Sequence, residues 1–233
     1  MKYAQDEIVK AVKAVIDENI EEAEALTNDI EQRSMDDVIK ALVVDGVAAV
    51  LQAAPIWKVE GEDIKASPIT WHEIGGKKRR MGEGEETPIT RGDVAYWGSI
   101  AMPEDMMRLA LFEMSDWAMP VAQPITDQDA RYEQQKSRFR GVRGNTDRPV
   151  VALHNGQIEF YCCNSATATI TTAIYIRWPR WETEEGDGGK NTYINIPQKL
   201  YRAAVYQTAA LTMQELGEGQ TGKDLAALVL SFI

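Results

Sequence analysis

Apolar positions recur at helical spacing near both ends of the chain and lose that spacing in between. Ile8, Val12, Val15 and Ile16 share one face, followed by Ile20, Ala23, Leu26 and Ile30, while acidic residues from Asp17 to Asp29 crowd the other. A second helix is predicted from Ser34, where Asp37 three positions on completes a capping box. It runs through ALVVDGVAAVLQAA and stops before Pro55. Only Asp45 and Gln52 interrupt its apolar surface, so the expectation is a central helix buried nearly all round.

From 55 to 100 the helical period is gone. Pro55, Pro68 and Pro88, with Gly75, Gly76, Gly82, Gly84 and Gly92, predict short extended pieces joined by turns. Strand-like alternation begins at Val94, Ala101–Asp105 reads as a turn before the apolar run Met107–Met114, and 128–136 suits a short polar helix. The clearest local signal is RPVVALH, then Asn155-Gly156, then QIEFYCC: a hairpin whose two turn positions need positive φ. A threonine-rich strand, ATATITTAIYIRW, follows, and ETEEGDGGKN is expected to be an exposed acidic loop.

The helical period then returns. Pro197 fits a first turn with Asn195 as cap, and two stripes follow, Leu200, Ala204, Gln207, Leu211 and Ala203, Tyr206, Ala210, Met213. So many alanines let a neighbouring helix come close. Leu216-Gly217 ends this helix, and 221–233 makes a last one with Leu225, Leu228, Val229 and Phe232 on one side. The fold class expected from this layout is α+β. N-terminal helices (1–54) and C-terminal helices (196–233) would form one bundle, with a β-rich region carrying extended arms (55–195) inserted between them.

Composition narrows the function classes. The 233 residues include 36 acidic and 25 basic side chains, a net charge of −11, which argues against non-specific nucleic-acid binding by the surface as a whole. No apolar run is long enough to span a bilayer, so no membrane partner is expected. The opening MKYAQDEIVK is charged and has no apolar core, so a secretory signal is not expected. The two cysteines, Cys162 and Cys163, are adjacent; neighbours in a strand point to opposite faces, so a reduced intracellular setting fits better than a bridge.

GEGQTGKD is the segment most easily misread. Gly217, Gly219 and Gly222 spell a dinucleotide fingerprint, and Gly217, Gly222 and Lys223 most of a phosphate loop. Both devices need a preceding strand, whereas a helix is predicted here, and Asp224 stands where a phosphate loop has Ser or Thr. A flexible interhelical turn is the preferred reading, and a small nucleotide-dependent enzyme using 217–224 the less favoured alternative. Two histidines and two adjacent cysteines give no zinc spacing, TEEGDGGKN lacks a calcium-loop pattern, and Gly98-Ser99-Ile100-Ala101 misses a nucleophile elbow. No catalytic residue, cofactor or metal is therefore expected.

Two basic clusters stand against the acidic background: Lys77, Lys78, Arg79 and Arg80, and then Arg131, Lys136, Arg138, Arg140, Arg143 and Arg148 with Tyr132 and Phe139 interleaved. An intersubunit salt-bridge face is preferred over a DNA-binding module for these. Six tryptophans, Trp57, Trp71, Trp97, Trp117, Trp178 and Trp181, fall in the extended portion; they read mostly as local core, some as contact residues.

One resemblance covers most of 34–233. The run Ala101-Met102-Pro103-Glu104-Asp105-Met106-Met107-Arg108-Leu109, continuing to Glu113–Trp117, is similar to a segment of head-to-tail adaptor proteins of short-tailed bacteriophages, in particular those of crAss-like phages. Arg148-Pro149-Val150 before the Asn-Gly hairpin and Ile196-Pro197 … Leu200–Tyr206 before an alanine-rich helix resemble the same family. The resemblance implies a ring of about twelve copies beneath the portal protein, contacts to tail proteins, DNA only as passing cargo, and a place at the head–tail junction of the virion after synthesis in the host cytoplasm. It implies no enzymatic activity; the runner-up is another ring component of a phage tail. Candidate partner or intersubunit contacts are Lys77, Lys78, Arg79, Arg80, Arg138, Arg140, Arg143, Lys223, Leu225, Leu228 and Phe232.

Overall fold

The computed structural model describes residues 1–19, 35–65, 67–74, 94–137, 139, 141–186 and 189–233. In chain order the elements are β1 (Lys2–Ala4), α1 (Gln5–Asn19), α2 (Met35–Ala53), β2 (Glu62–Asp63), β3 (Thr70–Ile74), β4 (Ala95–Ala101), β5 (Met106–Met114) and β6 (Ile125–Thr126). They continue with α3 (Ala130–Gln135), β7 (Val150–His154), β8 (Gln157–Cys163), β9 (Ile170–Arg177), β10 (Glu182–Gly186), β11 (Gly189–Asn195), α4 (Tyr201–Glu215) and α5 (Gly219–Val229). Short 3-10 turns occupy Ile56–Lys58 and Gln198–Leu200.

This corrects the expected fold class. Among the described residues eleven strands in three sheets stand beside five α-helices, so the protein is largely β-sheet with helices mixed in, not a helical bundle carrying a β region. The expected acidic loop is part of the reason. Glu182–Gly186 and Gly189–Asn195 pair as antiparallel strands, and β1 joins the far side of β11. Cross-strand partners offset their weak strand propensity: Glu184 receives a hydrogen bond from Tyr193 Oη at 2.9 Å and an ion pair from Lys2. Asn195 ends β11 and donates to Glu182 Oε2 at 3.1 Å, so it is not the cap of α4. The predicted helical residues 20–34 and the basic run Lys77–Arg80 lie outside the described residues, as do Arg138 and Arg140.

The chain forms two compact units, residues 1–60 with 178–233, and residues 61–177. In the first, α4 is the common partner of α1, α2 and α5. Ala203, Ala204, Ala209 and Ala210 are buried on it, and the Thr208 and Thr212 hydroxyls donate back to the Ala204 and Thr208 carbonyls at 2.8 and 2.9 Å. Gly46 of α2 meets α4 so closely that a Cβ there would lie 3.1 Å from the Thr208 backbone. Small residues therefore set the helix spacing.

The second unit holds two sheets, β2-β9-β5 and β3-β4-β8-β7-β6, with β6 parallel to β7. Asn155 and Gly156, at φ 48° and 70°, make the β7–β8 turn that the sequence predicts. Buried residues of both sheets, among them Leu109, Phe112, Val151, Ile158, Phe160 and Tyr175, form one core. Phe160 is at its centre, 5.2 Å from the Phe112 ring and edge-on to Trp71 at 5.6 Å. The two points where the chain crosses between units adjoin each other. Glu62 pairs with Tyr175 across β2 and β9, and Arg177 Nε is 3.1 Å from Glu62 Oε1.

Candidate functional site

A bulge in β8 sets the chemistry of the other face of the larger sheet. Gly98 pairs with Phe160 and Tyr96 with Cys163, so Tyr161 and Cys162 together oppose Trp97. Cys162 takes up the extra residue at φ 74°. The alternation slips by one, which puts Glu159, Tyr161 and Cys162 on the face covered by α3 and returns Cys163 to the core of Phe160. Both cysteines are free and buried. Burial pushes the Cys162 thiol up to about 12, and raises that of Cys163 as well, so neither is a ready nucleophile.

On that face α3 is capped by Asp129, whose carboxylate accepts from the Arg131 backbone N–H at 2.9 Å and from its guanidinium. These bonds hold the Asp129 pKa down at about 2. The helix thereby brings Tyr132 and Lys136 onto the sheet above Glu159, which is only 5% exposed. Glu159 Oε2 accepts from Tyr132 Oη at 2.9 Å and from Tyr161 Oη, with Lys136 Nζ 3.7 Å away. Burial and the bond to Glu159 raise the Tyr161 pKa. Burial would lower that of Lys136, but its bond to Tyr132 and the Glu159 charge outweigh burial and raise it. Lys136 also lies over the rings of Trp97 and Tyr132, at 4.9 and 4.7 Å. The buried carboxylate is thus partnered at Oε2 by side chains from α3, from its C-cap Lys136 and from β8. What this arrangement does chemically is to fasten the helix onto the sheet.

The sequence did not single out Glu159. It is one acid among 36, and what partners it is a helix twenty-odd residues earlier in the chain, which alternation along the strand does not reveal.

Surfaces that can meet other molecules lie elsewhere. In the first unit Trp57 (71% exposed), Trp178, Leu228 (46%) and Leu230 (76%) present bulky apolar groups to solvent; in the second, Met119, Phe139 and Val142 do. Of the tryptophans only Trp117 is fully buried; Trp71, Trp97 and Trp181 are partly so. On α5, Leu225 is buried and Lys223 exposed, while Phe232 packs at 5.1 Å from the Tyr206 ring with the Arg202 guanidinium 4.5 Å over it. Lys58 Nζ bonds to the Ile233 carbonyl and lies 5.1 Å over the Trp57 ring, which places Trp57 beside the last residues.

Two of the three glycines of 217–222 have structural roles. Gly217, at φ 89°, ends α4, with Glu218 N–H bonding back to the Met213 carbonyl at 2.9 Å. Gly222 lets α5 touch α4, since a Cβ there would lie 2.8 Å from the Ala210 carbonyl oxygen. The turn follows a helix, not a strand.

Of the second basic cluster, Arg143 is buried and donates to the Ser137 carbonyl at 3.4 Å, in the wall of a cavity of about 330 Å³ shared with Cys162 and Asn164. Arg131 pairs with Asp129 at 2.7 Å and Lys136 with Glu159, so both cations are directed at the chain's own acids. Among the described residues no group of three or more His, Cys, Asp or Glu is placed to hold a metal ion, and no helix is long and apolar enough to cross a membrane. Neither a protein-family model nor a curated protein matches the chain.

Proposed function

We propose that the chain is a structural subunit of a virion, an adaptor in a ring that joins the portal to the tail and surrounds the passing DNA, without enzymatic activity. The observation that carries this reading is the set of bulky apolar side chains exposed on both units, led by Trp57, Leu228 and Leu230 in the first and Phe139 in the second. Large apolar groups left in water mark surfaces meant for protein contact, and tryptophan is the residue most enriched where such contacts are strongest. The resemblance to phage adaptors carried by 101–117 and 196–206 says which kind of contact. A net charge of −11 suits a channel lining that does not retain DNA.

Co-sedimentation with the portal ring encoded by the same genome tests the reading. Saturable binding at one copy per portal subunit is expected, weakened by Trp57→Ser or Phe139→Ser. No binding at tens of micromolar, where even a modest contact of about −7 kcal/mol registers, overturns it.

A further inference from the structure

The second unit contains a cavity of about 530 Å³ beside β9. Its origin is in the strand pairing. β2 pairs with β9 only through Glu62 and Asp63, and the last bond is from Ile64 N–H to the Ala173 carbonyl at 2.8 Å. Beyond it the chain leaves β9. Thr171 falls in a register shift of β9 against β5, opposite no residue of that strand, and lies past the end of β2. Between the separating walls Ile64, Ile69, Ile100 and Ile170 line an apolar interior, with Asp63 and Lys65 at the rim.

The first unit carries exposed apolar side chains of a size that suits such a cavity. α5 buries Leu225 and Val229 on one side and holds Leu228 in water on the other, with Leu230 just past its end; Lys223 and Asp224 are exposed on the same helix. We propose that Leu228 and Leu230 of one copy seat in the β9 cavity of a second copy. This names the partner of an exposed apolar surface in the ring reading above and rests on that reading.

Charge favours this pairing of surfaces. Two copies at −11 each repel, so self-association belongs where the faces are locally balanced. The rim offers one acid and one base, Asp63 and Lys65, and α5 offers one base and one acid, Lys223 and Asp224. Donor and acceptor are different surfaces, so the contact is head-to-tail. A contact of that kind propagates from copy to copy and closes into a ring when the rotation allows, whereas a self-complementary one stops at a dimer.

Sedimentation velocity on the full chain and two variants tests the proposal. Leu228→Ser/Leu230→Ser removes the donor. Thr171→Trp fills the acceptor from an exposed position, and Ser67→Trp does so from the opposite wall should the first variant misfold. Wild-type protein is expected to associate with rising concentration, more strongly when added salt screens the repulsion. Each variant alone is expected to lose about tenfold or more in association constant, equivalent to roughly 1.4 kcal/mol. An equimolar mixture of donor and acceptor variants is expected to pair again but stop at a one-to-one dimer, because only one competent interface remains. A wild type that stays monomeric at about 0.5 mM, in the range of weak contacts, overturns the proposal. So do variants that assemble like wild type, or a mixture that does not pair. Portal co-sedimentation of the same variants separates the two readings. Retained portal binding without self-association removes this contact and leaves the adaptor; self-association without portal binding does the reverse.

Discussion

Glu159 shows how one residue's surroundings decide its role. Its carboxylate is buried, accepts two phenol hydroxyls and faces an ammonium group. Removing an acceptor from such a centre strands its donors, and an unsatisfied buried donor costs more than its bond contributes. Glu159→Gln keeps the shape but surrenders the charge, and is expected to lower stability by about 1–3 kcal/mol in urea unfolding. Lys136→Met is expected to cost less, because the lysine side chain is 38% exposed and its attraction is screened. Equal costs for the two would mean that the carboxylate is not the centre of the network. Nothing in the sequence marks this residue. Strict alternation along QIEFYCC puts Glu159 and Cys163 on one face, and only the extra residue at 161–162, a product of pairing with Trp97, separates them.

At the scale of elements, the contacts around two glycines predict opposite signs for the same substitution. Alanine normally stabilises a helix over glycine by up to about 1 kcal/mol. Gly219 has open space where a Cβ would go, so Gly219→Ala is expected to raise the melting temperature slightly. Gly222 does not: its Cβ would press on the Ala210 carbonyl and the Gln214 side chain, so Gly222→Ala is expected to cost about 1–3 kcal/mol as α5 is pushed off α4. Thermal melts of the two single variants check the pair. Helix α3 carries a pH dependence of its own. The folded-state pKa of Asp129 is depressed to about 2, so its capping contribution is complete above the ordinary carboxylate value and is lost as pH falls from about 4 toward 2. Because α3 holds Lys136 over Trp97, tryptophan emission should report the loss, and Asp129→Asn should remove that part of the profile.

Elements fixed by local chemistry were legible in the sequence. The Asn155-Gly156 hairpin, the polar helix near 128–136 and the alanine-lined α4 with its Gly217 terminus follow from turn preference and spacing alone. Elements held by distant partners were not. β1 is three residues long and is a strand only by pairing with β11 across nearly the whole length of the chain, while β10 and β11 pair with each other through an acidic, glycine-rich sequence whose composition predicts a loop. That pairing is also why the expected helical bundle gave way to a mixed fold.

For the whole molecule, the division into two units makes a direct prediction. Residues 61–177 are continuous in sequence and hold a core drawn from both of their sheets, so this fragment is expected to fold on its own and show cooperative unfolding. Residues 1–60 alone are expected not to, because α1 and α2 pack on α4, which lies after residue 177. A fragment 61–177 that lacks dispersed amide chemical shifts would contradict this. The same division clarifies the candidate contacts. The exposed leucines on and just past α5 and the cavity beside β9 belong to different units, so each can be altered without touching the core that supports the other.

The side-by-side crossings at Glu62 and Arg177 have a consequence of another kind. Antiparallel neighbours lie about 5 Å apart, so the whole of 61–177 enters and leaves through one narrow doorway. To the rest of the polypeptide that stretch is a cassette. A short glycine-serine tether could stand in its place, and so could another domain whose ends lie equally close. The terminal segments and the middle of this protein are therefore free to be rebuilt separately, by an engineer or by recombination between genomes, provided the doorway keeps its width.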